Sequence, residues 1–209
     1  MLYESTRGSL DGIKSAQAIH MGISPDGGLF VPEENVKISI DEIKKMQGFN
    51  YKERAFFILK KFIDDYSDEE IRECVEIAYS RQKFETDDIV PLHKINENIH
   101  VMELWHGPTS AFKDVALQIL PYLLTKAVKK NKKDVEVVIL VATSGDTGKA
   151  ALEGFKDVEG TKIIVFFPNE GVSEVQKRQM ITQEGENVYS IGVNGNFDDA
   201  QNGVKKIFT

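Results

Sequence analysis

Apolar residues recur at helical spacing in the first half of this chain and gather into short unbroken runs in the second. Ala55, Ile58, Leu59, Phe62, Ile63 and Tyr66 fall three and four apart, which predicts a buried helical face; Ile71, Cys74, Val75 and Ala78 repeat the pattern. Each predicted helix has a start signal. Ser39 with Glu42 and Ser67 with Glu70 fit the capping box, in which the two side chains satisfy each other's backbone donors, and Asn50 with Glu53 is a looser version. Residues 1–32 read differently, because Gly8, Gly12, Gly22, Gly27, Gly28, Pro25 and Pro32 predict turns and short extended pieces. Residues 1–85 are therefore expected to form a mainly helical N-terminal domain.

Beyond the polar break Glu85–Thr86–Asp87–Asp88 the pattern alternates. It predicts strands at 99–105, 135–142, 162–167 and 187–193, with helices near 114–130, 147–157, 173–183 and from 197. The run Val135 to Ala142 is almost wholly apolar, as suits a parallel strand covered on both faces. Strands alternating with helices argue an α/β domain over 86–209, a parallel sheet with helices on both faces. Pro121 lacks a helix donor and predicts a kink or break. Ser173 with Gln176, and Asn196, are expected to cap the last helices.

Charge and composition narrow the classes. Acidic residues outnumber basic ones, 33 to 26, for a net charge of −7, which disfavours a binder of nucleic-acid backbones and suits a soluble cytoplasmic protein. The single cysteine, Cys74, excludes an internal disulfide framework, and its place on an apolar stripe predicts packing. The first residues lack the basic-then-apolar order of a signal peptide. No apolar run approaches the roughly 20 residues needed to cross a bilayer. His93, His100 and His106 lack metal-ligand spacing, so no metal is expected. Gly148–Lys149–Ala150 lacks the flanking residues of a nucleotide-phosphate loop.

Two segments carry candidate chemistry. His106–Gly107–Pro108–Thr109–Ser110–Ala111–Phe112–Lys113–Asp114 places a lysine just before a helix, beside Ala111, Phe112, Val115 and Ala116. An ammonium in apolar surroundings is poorly solvated, which favours the neutral amine, a nucleophile toward carbonyls. The plain alternatives are a solvated lysine, or an ion pair with Asp114. Thr143–Ser144–Gly145–Asp146–Thr147–Gly148 follows an apolar strand and opens a helix, whose free N–H groups and dipole suit a carboxylate or phosphate. Its alternative is an ordinary turn capped by Thr143 or Ser144.

Taken together, HGPTSAFKD at 106–114 and ATSGDTGKAA at 142–151 resemble the threonine synthase family. FPNEGVSEVQKRQM at 167–180, VNGNFDDAQ at 193–201, STRG at 5–8 and PDGGLFVP at 25–32 add to the likeness, which runs through the whole 209 residues. The resemblance implies a fold-type II enzyme of the tryptophan synthase β-like class that uses pyridoxal 5′-phosphate to convert O-phosphohomoserine and water to threonine and phosphate. It implies that Lys113 holds the cofactor as a Schiff base and that Phe112 packs against its ring. Asp146 stands where relatives of the fold carry an asparagine that contacts the cofactor's 3′ oxygen. An aspartate there is expected to be protonated or to face the Schiff base. Thr143, Ser144, Gly145 and Thr147 are expected to receive the substrate carboxylate.

Members of that family are much longer, and their cofactor-phosphate loop lies in the later part of the chain. The resemblance therefore implies a remainder beyond Thr209, and little or no turnover by these residues alone. Two other readings keep parts of the pattern: a pyridoxal-phosphate dehydratase or lyase of the same fold, and a non-catalytic module that binds phosphorylated amino acids.

Overall fold

The computed structural model describes residues 1–143 and 145–207, and within it the chain divides into two compact units. The first comprises Met1–Ser80 with Tyr122–Asp134. Its glycine-punctuated start folds as a small antiparallel sheet, β1 (Leu2–Ser5), β2 (Ile13–Lys14) and β3 (Phe30–Pro32), in the order β2-β1-β3. A short helix, α1 (Ser15–Met21), interrupts it. Then come α2 (Ile40–Met46), α3 (Tyr51–Phe62) and α4 (Asp68–Ala78), and the capping boxes of Ser39, Asn50 and Ser67 are all complete.

The two apolar stripes fare differently. That of α4 is fully buried at Ile71, Cys74, Val75 and Ala78, and burial pushes the Cys74 thiol up to about 11. That of α3 is only half-buried within the helix, and full burial begins just past it, at Ile63 and Tyr66. Residues 122–134 join this unit through specific bonds. Tyr66 Oη donates to the Leu123 carbonyl at 2.9 Å, and Asn131 Nδ2 donates to the Ala16 carbonyl at 3.0 Å.

The second unit comprises Arg81–Pro121 and the residues from Val135 on. It begins with a hairpin, β4 (Leu92–Asn96) and β5 (Ile99–Met102). The strand expected at 99–105 is thus shorter, and it pairs antiparallel with β4 instead of entering the parallel sheet. Its cause is local: Asn96 Oδ1 accepts the N–H groups of Asn98 and Ile99, closing a tight turn. Helix α5 (Asp114–Leu117) and helix α6 (Leu120–Lys130) are separate, the break falling just ahead of Pro121.

The remaining elements are β6 (Val137–Ala142), α7 (Asp146–Phe155), β7 (Thr161–Pro168), α8 (Glu174–Ile181), β8 (Val188–Val193) and α9 (Phe197–Ile207). The strands form one parallel sheet in the order β6-β7-β8, with Ala142 beside Phe166 and Phe166 beside Ile191. Helices α7 and α8 pack together, while α9 packs against β6 and β7. Three strands span only about 10 Å across, roughly one helix diameter, so the sheet needs both faces to seat three helices. The result is an α/β layering in which Ile163 and Val165 of the central strand are completely buried.

Candidate active site

Both segments singled out in the sequence lie in the second unit, each opening a helix. In the first, Asp114 begins α5 with no exposed surface. Its Oδ2 accepts the Thr109 N–H at 2.8 Å and its Oδ1 accepts the Thr109 hydroxyl at 2.7 Å. A Cβ at Gly107 would lie 2.5 Å from Asp114 Cβ and Oδ2, so only glycine leaves room for this carboxylate. Burial pushes the carboxyl above its ordinary range, while the Thr109 bonds pull it back. Asp114 is therefore turned into the loop and does not pair with Lys113.

Lys113 lies outside that clasp. It is half-buried, and its Nζ sits 4.7 Å from the centroid of the Phe112 ring, a cation–π distance. Phe112 is itself 54% exposed, Ala116 is exposed and Val115 half-buried, leaving Ala111 as the buried neighbour. The enclosing apolar surroundings expected for the lysine thus reduce here to one ring face. Among the described residues Nζ has no hydrogen-bond or ion-pair partner. At the loop's other end His106 Nε2 lies 2.6 Å from Glu103 Oε2, and Nδ1 lies 3.4 Å from Glu85 Oε2. The Glu103 carboxylate, helped by Glu85, raises the imidazole above its ordinary value.

The second corner is built on a neutral hydroxyl. Thr143 is buried, and its Oγ1 accepts the N–H groups of Gly145 and Gly148, each at 3.1 Å. A Cβ at Gly148 would fall 2.3 Å from Thr143 Cγ2, so the threonine fits only against glycine. Asp146 and Thr147 open α7 and are exposed. Among the described residues their backbone N–H groups have no acceptor, as expected in a first helical turn. Ser144 lies outside the described residues. Asp146 is engaged from α8: its Oδ1 accepts Gln176 Nε2 at 2.7 Å. A Cβ at Gly145 would come within 2.6 Å of that same amide.

The helices that follow the two corners pack on each other. Helix α5 lies on α7 so closely that a Cβ at Gly154 would meet the Leu117 carbonyl oxygen at 2.2 Å. Asp114 lies within electrostatic reach of Glu153 and Lys149, and Leu117 abuts Gly154, so α5 packs along the 149–154 part of α7. Lys149 is drawn inward, donating to Gln183 Oε1, and burial lowers its pKa.

Sequence reading missed two participants. Asp114 was visible only as a partner for its neighbour, and Gln176 only as part of a cap. The capping signal was correct, since the Ser173 hydroxyl accepts the Gln176 N–H, but nothing local points Gln176 at a residue thirty positions earlier. Arg178 pairs with Glu174 one turn away, and both side chains face water.

Residues 2–79 match the family described as Threonine synthase N terminus. Threonine synthase of Pseudomonas aeruginosa is 41% identical over 209 residues, covering all of this chain and 44% of the relative. Among solved structures, a pyridoxal-phosphate-bound threonine synthase from Brucella melitensis superposes with a TM-score of 0.89 at 38% identity, over 100% of this chain and 44% of that one. Threonine synthase from yeast superposes with a TM-score of 0.88 at 31% identity, covering 99% and 43%. The chain therefore spans less than half the length of these relatives. In sequence and in fold it corresponds to the N-terminal part of threonine synthases.

Proposed function

We propose that this chain is the N-terminal part of a cytosolic threonine synthase, acting with pyridoxal 5′-phosphate on O-phosphohomoserine and water to give threonine and phosphate. The observation that carries this reading is Lys113, whose Nζ, without a hydrogen-bond or ion-pair partner among the described residues, lies over an exposed aromatic ring at the leading end of a helix packed on α7. A primary amine without a competing carboxylate, beside a flat apolar face, fits an aldehyde-bearing aromatic cofactor. Lys113 would hold the cofactor's aldehyde and Phe112 would cover its ring. Bound there, the cofactor supplies an electron sink for negative charge at the substrate's α and β carbons.

The rest falls to the chain's own groups. Lys113 Nζ would carry protons at those carbons. The N–H groups of Asp146 and Thr147, with Ser144 and the close approach allowed at Gly145, receive the substrate carboxylate at the positive end of α7. Thr143 serves the same end indirectly: its hydroxyl is spent on Gly145 and Gly148, so it shapes the turn. Asp146 would contribute to the cofactor site from the start of α7. Turnover requires the remaining half of the enzyme as well, since the relatives are about twice as long.

Borohydride reduction of the whole-length protein with pyridoxal phosphate, followed by peptide mapping, tests the central point. One label at Lys113, lost in Lys113→Ala together with threonine formation, is expected. Labels scattered over many lysines would end this reading.

A further inference from the structure

We propose that Gln176 is a positioning residue that holds the Asp146 carboxylate aside, keeping the positive end of α7 free for the substrate's own carboxylate. The inference rests on that turn being the carboxylate site. An aspartate in the first turn of a helix is a resident anion at the place where an incoming anion would bind, and aspartates readily bond nearby backbone N–H groups. Asp146 does neither of the simple things open to it. It makes no bond to the N–H groups of its own helix among the described residues, and it does not point free into solvent. Its Oδ1 instead accepts Gln176 Nε2 from α8 at 2.7 Å.

The amide that holds it is itself oriented. Ser173 Oγ donates to Gln176 Oε1 at 2.9 Å, which fixes the oxygen toward Ser173 and leaves the nitrogen for Asp146. The Gln176 N–H in turn bonds Ser173 Oγ at 3.3 Å, so the α8 cap doubles as the mounting of the latch. Gly145 completes it, because any Cβ there would collide with the Gln176 amide at 2.6–2.8 Å. Four residues, from two helices and one turn, thus serve a contact that stabilises no core. Its consequence is electrostatic: the resident carboxylate is drawn toward α8, and the N–H groups of Asp146 and Thr147 have no acceptor among the described residues.

A double-mutant cycle in the whole-length protein carrying its cofactor tests this, using L-norvaline as an unreactive amino acid and calorimetry to measure its binding. Thermal melts accompany every variant. Gln176→Leu should weaken binding about tenfold, because the freed Asp146 competes for the helix end. In an Asp146→Ala background the same change should have no effect, since no competitor remains. Gln176→Glu, which keeps the shape and the fold but sets acceptor against acceptor, should weaken binding at least as much and carries the test if Gln176→Leu does not fold. Equal losses in both backgrounds would show that Gln176 acts on the ligand or the loop directly, and would overturn the latch. So would an unchanged affinity in Gln176→Leu and Gln176→Glu. Failure of the unaltered protein to bind L-norvaline would instead remove the carboxylate site on which the latch depends.

Discussion

The two helix-opening loops of the second unit solve the same problem, one with a charge and one without. Each must satisfy backbone donors in a tight turn ahead of a helix. At the 107–113 loop the helix reaches back: Asp114 supplies a buried carboxylate that takes both the N–H and the hydroxyl of Thr109. At the 143–148 turn the strand reaches forward: the neutral Thr143 hydroxyl takes the N–H groups of Gly145 and Gly148. The first loop has thereby consumed its own anion and leaves Lys113 and Phe112, with Pro108 and Ser110, outside the clasp. The second is satisfied without charge, so the positive end of α7 is left unneutralised by its own clasp. A single motif type, a loop feeding a helix, yields an amine-presenting corner in one case and an anion-receiving one in the other.

The sharpest way to break this contrast is to remove the buried charge. Asp114→Ala leaves two Thr109 donors without an acceptor and opens a cavity, and should cost about 3 kcal/mol in denaturant unfolding. Asp114→Asn keeps one acceptor and removes the expense of a buried charge, so its loss should be smaller. Thr143→Val in the other corner keeps the methyl that fills the space at Gly148 but strands the Gly145 N–H, the Gly148 N–H keeping the Gly145 carbonyl at 3.0 Å, for about 2 kcal/mol. Thr143→Ser, which keeps the hydroxyl and loses the methyl, should fall below about 1 kcal/mol. If Thr143→Val proved costlier than Asp114→Ala, the charged clasp would not be the tighter one.

Gly145→Ala sharpens the comparison further. The added Cβ meets only the far end of the Gln176 side chain, which can swing away, so the stability change should stay within about 1 kcal/mol. Binding of L-norvaline should nevertheless fall, because the displaced amide releases Asp146. A large drop in stability with unchanged binding would show that the turn is held by packing at Gly145 alone.

How much of this was legible depends on whether the physics is local. The caps at Ser39, Asn50, Ser67 and Ser173 were readable because both partners sit within one helical turn. The break before Pro121 and the three parallel strands followed from a missing donor and from unbroken apolar runs. The β4–β5 hairpin was not anticipated, because its turn signal, Asn96–Glu97–Asn98, is short and polar and resembles any loop. Burial of the α3 stripe was overread, since spacing shows that residues share a face and not how much packs upon it. Within the candidate site, Lys113 and the 143–148 turn were visible as residue types in an unusual order. Their supports were less so. Asp114 could face its neighbour or its own loop, and spacing does not choose. The hold of Gln176 on Asp146 exists only after α8 docks beside α7.

The smallest expected effect concerns pH and belongs to the first loop alone. His106 stands between Glu103 and Glu85 at the entrance to the Lys113 segment, and these carboxylates favour its charged form. Because the folded value is raised above the ordinary 6.5, the imidazolium's contribution to stability is fully present below that pH. It is lost as pH rises through the raised value. In His106→Gln the amide keeps a hydrogen bond to Glu103 but cannot titrate. The gap in melting temperature between the native protein and this variant should therefore be widest on the acid side of 6.5 and close at alkaline pH. The 143–148 turn contains no histidine, so Thr143→Val should show no such closing gap over the same range. A gap that widened with rising pH would mean that Glu103 and Glu85 do not hold the imidazolium, and that the first loop's entrance is fixed by packing of Trp105 and its neighbours.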